Sequence, residues 1–124
     1  MHVAEQILIA RSAFPDEVRT VYLVPSARGG VQLLQYSWGR LTRLAFGDDI
    51  VCLRLSLDER ALSQLAARLG WGSDLPRGFA AFFGQDDALL VDLLDICDRE
   101  GIAYGFCSVG GSTGTMVRRR GSAG

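Results

Sequence analysis

The spacing of apolar residues changes near residue 58 of this chain, and that change most constrains the fold. Up to about residue 57, apolar and polar residues tend to alternate, which is the period of a β-strand with one covered face. Beyond residue 58 the apolar residues recur at intervals of three and four, which is the period of an amphipathic helix. A run of strands followed by helices predicts an α+β fold.

The first half predicts an antiparallel meander, because glycine, proline and aspartate punctuate it at short intervals. Strands are expected near residues 3–10, 18–24, 31–38, 41–46 and 50–57. In the last of these, the alternation places Val51, Leu53, Leu55 and Leu57 inward and Cys52, Arg54 and Ser56 outward. Tyr36 and Trp38 share one face of their strand with Leu34, and Val18, Thr20, Tyr22 and Val24 share one face of theirs.

Two helices are expected in the second half. The sequence Ser56-Leu57-Asp58-Glu59 has the form of a capping box, and a leucine stripe follows it as far as Gly70. The second helix is expected over residues 86–100, closed by Gly101. Residues 79–83 are wholly apolar and predict a strand covered on both faces, with a further strand at residues 102–109.

These elements predict one domain over residues 1–118 and a flexible tail over residues 119–124. Its sheet would have five to seven strands, with both helices packed on one face. An all-antiparallel sheet is favoured. A mixed sheet is the alternative, because the strand–helix–strand unit of residues 79–109 has nearly the length of a parallel crossover.

The composition removes much of the usual catalytic repertoire. The chain has no lysine, no asparagine and a single histidine, His2, a bias that indicates a GC-rich, bacterial genome. Schiff-base chemistry, a P-loop lysine and a paired-histidine metal site are therefore excluded. Three cysteines without close spacing match neither a disulfide framework nor a metal motif. We expect no cofactor and no metal, and a non-enzymatic role is favoured.

Charge and hydropathy limit the partners. A net charge of −1 argues against whole-surface attraction to nucleic acid or to an anionic membrane. No apolar run approaches the roughly 20 residues that span a bilayer. The first ten residues lack the positive region of a signal peptide, so a cytoplasmic protein is expected.

The second predicted helix carries the first candidate site. Its leucines fall in one arc, and the opposite arc is acidic around one valine. Such a face would steer a basic protein partner, as expected of an inhibitor or immunity-type protein, whereas a solvated helix surface explains the same residues without a partner. The predicted docking residues are Asp87, Val91, Asp92, Asp95 and Asp98.

The alternative function is a small-ligand domain, sensory or enzymatic, that binds an anion or phosphate. Closely spaced glycines let backbone N–H groups approach a phosphate, although a hairpin turn needs the same residues. A last strand is expected at residues 115–118. A homo-oligomer formed through an exposed sheet edge, such as residues 18–24 or this C-terminal strand, is a third hypothesis. The predicted ligand loop comprises Gly110, Gly111, Ser112, Thr113 and Gly114.

Overall fold

The computed structural model describes residues 6–26, 29–47, 50–84, 88–109 and 115–120. These residues form an α+β fold around one antiparallel sheet, whose strands pair in chain order from the first to the sixth. The preferred all-antiparallel arrangement is therefore confirmed. The strands are β1 (Ile7–Phe14), β2 (Glu17–Pro25), β3 (Val31–Gly39), β4 (Ile50–Leu57), β5 (Tyr104–Val109) and β6 (Thr115–Arg120).

Four helices occur among the described residues, where two had been predicted. They are α1 (Arg40–Phe46), α2 (Glu59–Leu69), α3 (Leu75–Phe83) and α4 (Leu90–Glu100). Helices α2, α3 and α4 share one hydrophobic core with the inward side chains of the sheet. That core includes Leu33, Leu55, Leu65, Phe79, Leu93 and Leu94, none of which is measurably exposed. The three helices thus cover one face of the sheet, which we call the helical face.

Helix α1 replaces the strand that had been predicted over residues 41–46. Gly39 has φ 130°, which turns the chain out of β3, and the N–H of Arg40 donates to the carbonyl of Asp16 at 2.7 Å. The next turn is held by Glu17 of β2. Its buried carboxylate accepts hydrogen bonds from the backbone N–H of Thr42 at 3.0 Å and from its hydroxyl at 2.7 Å. These contacts between distant residues override the local alternation.

Helix α3 replaces the strand that had been predicted over residues 79–83, so the mixed-sheet alternative is wrong. Asp74 caps the helix by accepting a hydrogen bond from the N–H of Arg77, and a proline lies in its first turn. Phe79 and Phe83 lie four residues apart and are both buried. An apolar run that is covered on most sides suits a buried helix as well as a buried strand.

Smaller corrections concern the ends of the helices. The cap of α2 is Asp58, whose carboxylate accepts from the N–H of Ala61 at 2.7 Å, whereas Ser56 lies within β4. Helix α4 begins at Leu90, four residues later than predicted, and the buried amide of Gln35 accepts a hydrogen bond from its first N–H at 3.0 Å. Strand β6 continues to Arg120, which extends pairing beyond the expected end of the domain at residue 118.

Candidate binding face

The face of the sheet opposite the helices carries a continuous group of apolar and aromatic side chains. Inward and outward residues alternate, so the even-numbered residues of β2, β3 and β4 lie on this side. The register aligns Thr20 with Tyr36 and Cys52, Tyr22 with Leu34, and Trp38 with Ile50. We call this surface the aromatic face.

A shallow cleft of about 450 Å³ lies at the centre of the aromatic face. The rings of Tyr22 and Tyr36 meet edge to face with centroids 5.9 Å apart. Large apolar side chains around the rings remain open to solvent: Leu8 is 54% exposed, Ile50 59% and Trp38 36%. The cleft is lined by Gln6, Thr20, Tyr22, Tyr36, Trp38 and Ile50. A solvent-exposed apolar group of this kind is a feature of binding surfaces.

Two ionisable groups near the centre of the aromatic face, Tyr36 and Cys52, have raised pKa values. Burial raises the pKa of Tyr36, and the neighbouring Cys52 thiol raises it further. Burial likewise raises the pKa of Cys52, although its hydrogen bond with Tyr36 and the charge of Arg54 act in the opposite direction. Both groups therefore stay uncharged at neutral pH, which leaves arginine as the source of charge within this surface.

Within β1 to β5, Arg11 and Arg54 are the charged residues on the aromatic face, and both are exposed. The register of β6 places a third arginine, Arg119, at a position on the same face. Arg11 lies in the row of Thr20 and Tyr36, and Arg54 lies beside Leu34. In β1 to β5 the described strands contain one acidic residue, Glu17, which is buried and contacts α1. The aromatic face thus combines an apolar centre with a positive rim.

The predicted acidic face of α4 is in part engaged in local hydrogen bonds. The carboxylate of Asp92 accepts from the N–H of Leu89 at 2.7 Å, and that of Asp98 accepts from the hydroxyl of Tyr104 at 2.8 Å. Val91 is 40% exposed, and Asp95, one turn later, is also exposed. Asp87 lies outside the described residues. Docking through this face remains a prediction.

The predicted glycine-rich loop, residues 110–114, also lies outside the described residues, so ligand binding there remains a prediction. Of the two strands that had been proposed as sheet edges, residues 18–24 belong to β2, which is paired on both sides by β1 and β3. That strand is therefore unavailable for edge pairing between copies. The C-terminal strand β6 is an edge, with β5 as its described neighbour.

A second groove, of about 460 Å³, lies between α2 and α4. The ion pair between Arg68 and Glu100, at 2.7 Å, occurs among its lining residues. Within the described ranges, no group of three or more histidine, cysteine, aspartate or glutamate residues could hold a metal ion.

In the part of the chain that the structure describes, no helix combines the length and the apolar content needed to cross a membrane. Comparisons with protein-family models, curated proteins and solved structures find no match for this chain.

The residues of the aromatic face could be recognised in the sequence as members of separate strands, but their assembly into one surface could not. Alternation placed Tyr22 with Thr20, and Tyr36 with Trp38, without showing which sides of the two strands coincide or which side the helices cover. Aromatic residues on the same side of two successive strands were the available signal. Ile50 was missed, because its register partner Trp38 lies beyond α1 in the chain.

Proposed function

We propose that this chain is a small, non-enzymatic protein-binding module that docks its partner on the aromatic face. The observation that carries the proposal is the exposure of Leu8, Trp38 and Ile50 around the tyrosine pair, on a sheet face that α2, α3 and α4 leave uncovered. Aromatic anchors surrounded by a polar or charged rim are typical of protein–protein interfaces. An inhibitor or immunity-type protein is one module of this kind.

The exposed part of α4 is the second proposed surface, and it would bind a partner of the opposite charge. Val91 and Asp95 support it, because both are exposed and lie one turn apart. A basic partner would be steered to this surface by charge. The two surfaces predict different sensitivities to substitution, so one experiment can separate them.

The test is affinity capture from a lysate of a GC-rich bacterium with three folded baits. The first is the wild-type chain, the second carries Trp38→Ser and Ile50→Ser, and the third carries Val91→Ser and Asp95→Arg. Ile50, Val91 and Asp95 are exposed, whereas Trp38 is 36% exposed and its truncation removes some packing. Circular dichroism and thermal unfolding should therefore show that each bait is folded, with the second bait somewhat less stable than the wild type. We expect a stoichiometric protein on the first and third baits and its loss from the second.

Loss of the captured protein from the third bait alone would assign the binding site to α4 and indicate a basic partner. Equal capture by all three baits, or capture of no stoichiometric protein by the wild type, would contradict the proposal. In that event, thermal shift with phosphate-bearing metabolites tests the alternative anion-binding function. A ligand that binds only the folded chain raises its unfolding midpoint.

A further inference from the structure

The charges of the aromatic face specify the chemistry of the segment that would cover it; this step rests on the proposed protein-binding function. The centre of the face is apolar and aromatic, and burial raises the pKa values of Tyr36 and Cys52, which keeps both groups uncharged. Within β1 to β5 its charged residues are Arg11 and Arg54, which have the same sign. A partner that buried the apolar centre would therefore need carboxylates at its edges to complement the two guanidinium groups.

The positions of the two arginines also define the width of that segment. Arg11 lies on β1 and Arg54 on β4, so three strand spacings separate them across the sheet. Arg11 shares the row of Cys52, and Arg54 is two residues further along β4. With ordinary strand spacing and rise, their Cα atoms are roughly 16 Å apart. An α-helix with side chains is about 10 Å wide and fits between them.

A second copy of the chain fits this surface less well. Two copies packed face to face around a two-fold axis would present the same surface to each other. The described part of that surface offers arginines and no carboxylate, so like charges would meet across the interface.

Single-stranded nucleic acid also fits less well, although its bases stack on aromatic rings. Phosphate contacts dominate the affinity of such complexes and need several basic residues, whereas β1 to β5 supply two on this face and the register of β6 adds one more position, Arg119. Its most exposed large side chains, Leu8 and Ile50, are aliphatic.

We infer that the aromatic face binds an amphipathic helix of a partner protein, with its apolar side on the tyrosine pair and Trp38 and with carboxylates on its flanks towards Arg11 and Arg54. Such a helix would add a third layer to the fold, as helices do on both faces of many sheets. Its recognition would follow the helix-in-groove mode, in which apolar anchors give affinity and charged flanks give specificity.

The experiment compares two labelled helical peptides of about 20 residues, because isolated helices shorter than about 15 residues are only marginally stable in water. Both carry leucine along one side, and their flanks carry glutamate in one peptide and lysine in the other. We expect fluorescence anisotropy to show about tenfold tighter binding of the glutamate peptide, with a preference that weakens as salt is added. Arg11→Glu with Arg54→Glu should reverse the preference.

The rates at which the cysteines are alkylated can report where a peptide binds. Cys52 and Cys107 lie on the aromatic face and are half-buried, whereas Cys97 is buried in the core. The glutamate peptide should slow alkylation of Cys52 and leave Cys97 unreactive, as measured by mass spectrometry. The Trp38→Ser and Ile50→Ser variant should bind neither peptide, and its Cys52 should be alkylated at the same rate with and without peptide.

The outcomes separate the inference from the function on which it rests. Equal, salt-independent binding of both peptides would overturn the acidic helix and keep an apolar docking surface. Absence of peptide binding, together with a concentration-dependent dimer in sedimentation or binding of an oligothymidylate, would assign the face to a second copy or to nucleic acid. Absence of all three, together with failure of the affinity capture, would overturn the proposed function as well.

Discussion

Two hydrogen bonds between Glu17 and Thr42 connect α1 to β2, and their contribution to the free energy of unfolding can be measured. Glu17 is 5% exposed and Thr42 is 1% exposed, so water cannot replace either partner. The threonine hydroxyl donates to the carboxylate at 2.7 Å, and the backbone N–H of the same residue donates at 3.0 Å. The guanidinium of Arg19 lies 3.6 Å from the other carboxylate oxygen.

Replacement Thr42→Val keeps the shape of the side chain and removes only the hydroxyl donor. A hydrogen bond to a charged group contributes about 2 kcal/mol, so the free energy of unfolding should fall by that amount. Thr42→Ser keeps the donor and removes one methyl group, which should cost about 0.8 kcal/mol. In a Glu17→Gln background the acceptor is neutral, and Thr42→Val should then cost only about 1 kcal/mol.

Urea unfolding of the wild type, the single variants and the double variant forms a double-mutant cycle with an expected coupling of about 1 kcal/mol. The reasoning would be refuted if Thr42→Val were no more destabilising than Thr42→Ser, or if it cost the same in both backgrounds. Either result would mean that packing around Thr42, and not its hydrogen bond to Glu17, holds α1 against β2.

Two further predictions concern the backbone and the core. Gly39 has φ 130°, and an added Cβ would clash with the carbonyl oxygen of Asp16, whereas Gly70 has φ 72° and open surroundings. Gly39→Ala should therefore cost several times the roughly 1 kcal/mol expected for Gly70→Ala. Equal thermal midpoints of the two variants would contradict this. Burial raises the pKa of Cys97 from an ordinary 9.0 to about 11. The unfolded chain therefore loses this proton first, and the free energy of unfolding should fall between those pH values by up to about 1.4 kcal/mol per pH unit. Urea unfolding of Cys97→Ala should show a shallower fall over the same range, and an unchanged slope would refute the assignment.

The sequence predicted the sheet well, because strand alternation reports directly on which residues are covered. Val51, Leu55 and Leu57 are buried as expected, and Leu53 packs against the core. Prediction failed for α1 and α3, where contacts between distant residues or full burial decide the structure. Glu17 and Thr42 are 25 residues apart, and no local pattern reports that pairing.

At the candidate site, features that depend on the local sequence were predicted, and features that depend on contacts between distant residues were not. The outward positions of Cys52 and Arg54 were predicted from alternation, and both lie on the aromatic face. The helical face was not predictable in detail, because it depends on where α2, α3 and α4 pack. Which of two apolar strand surfaces becomes the core is decided by the helices that pack on it, and α2, α3 and α4 leave the other surface uncovered.

The near-neutral charge of the whole chain does not determine the charge of its partner. The described residues of β1 to β5 carry one carboxylate, Glu17, which is buried, whereas Arg11 and Arg54 are exposed on the aromatic face. Exposed acidic residues instead occur on α4, where Asp92 and Asp95 lie. Screening limits each group to about 8 Å at physiological salt. A partner on the aromatic face would therefore experience a positive surface, although the net charge of the chain is −1.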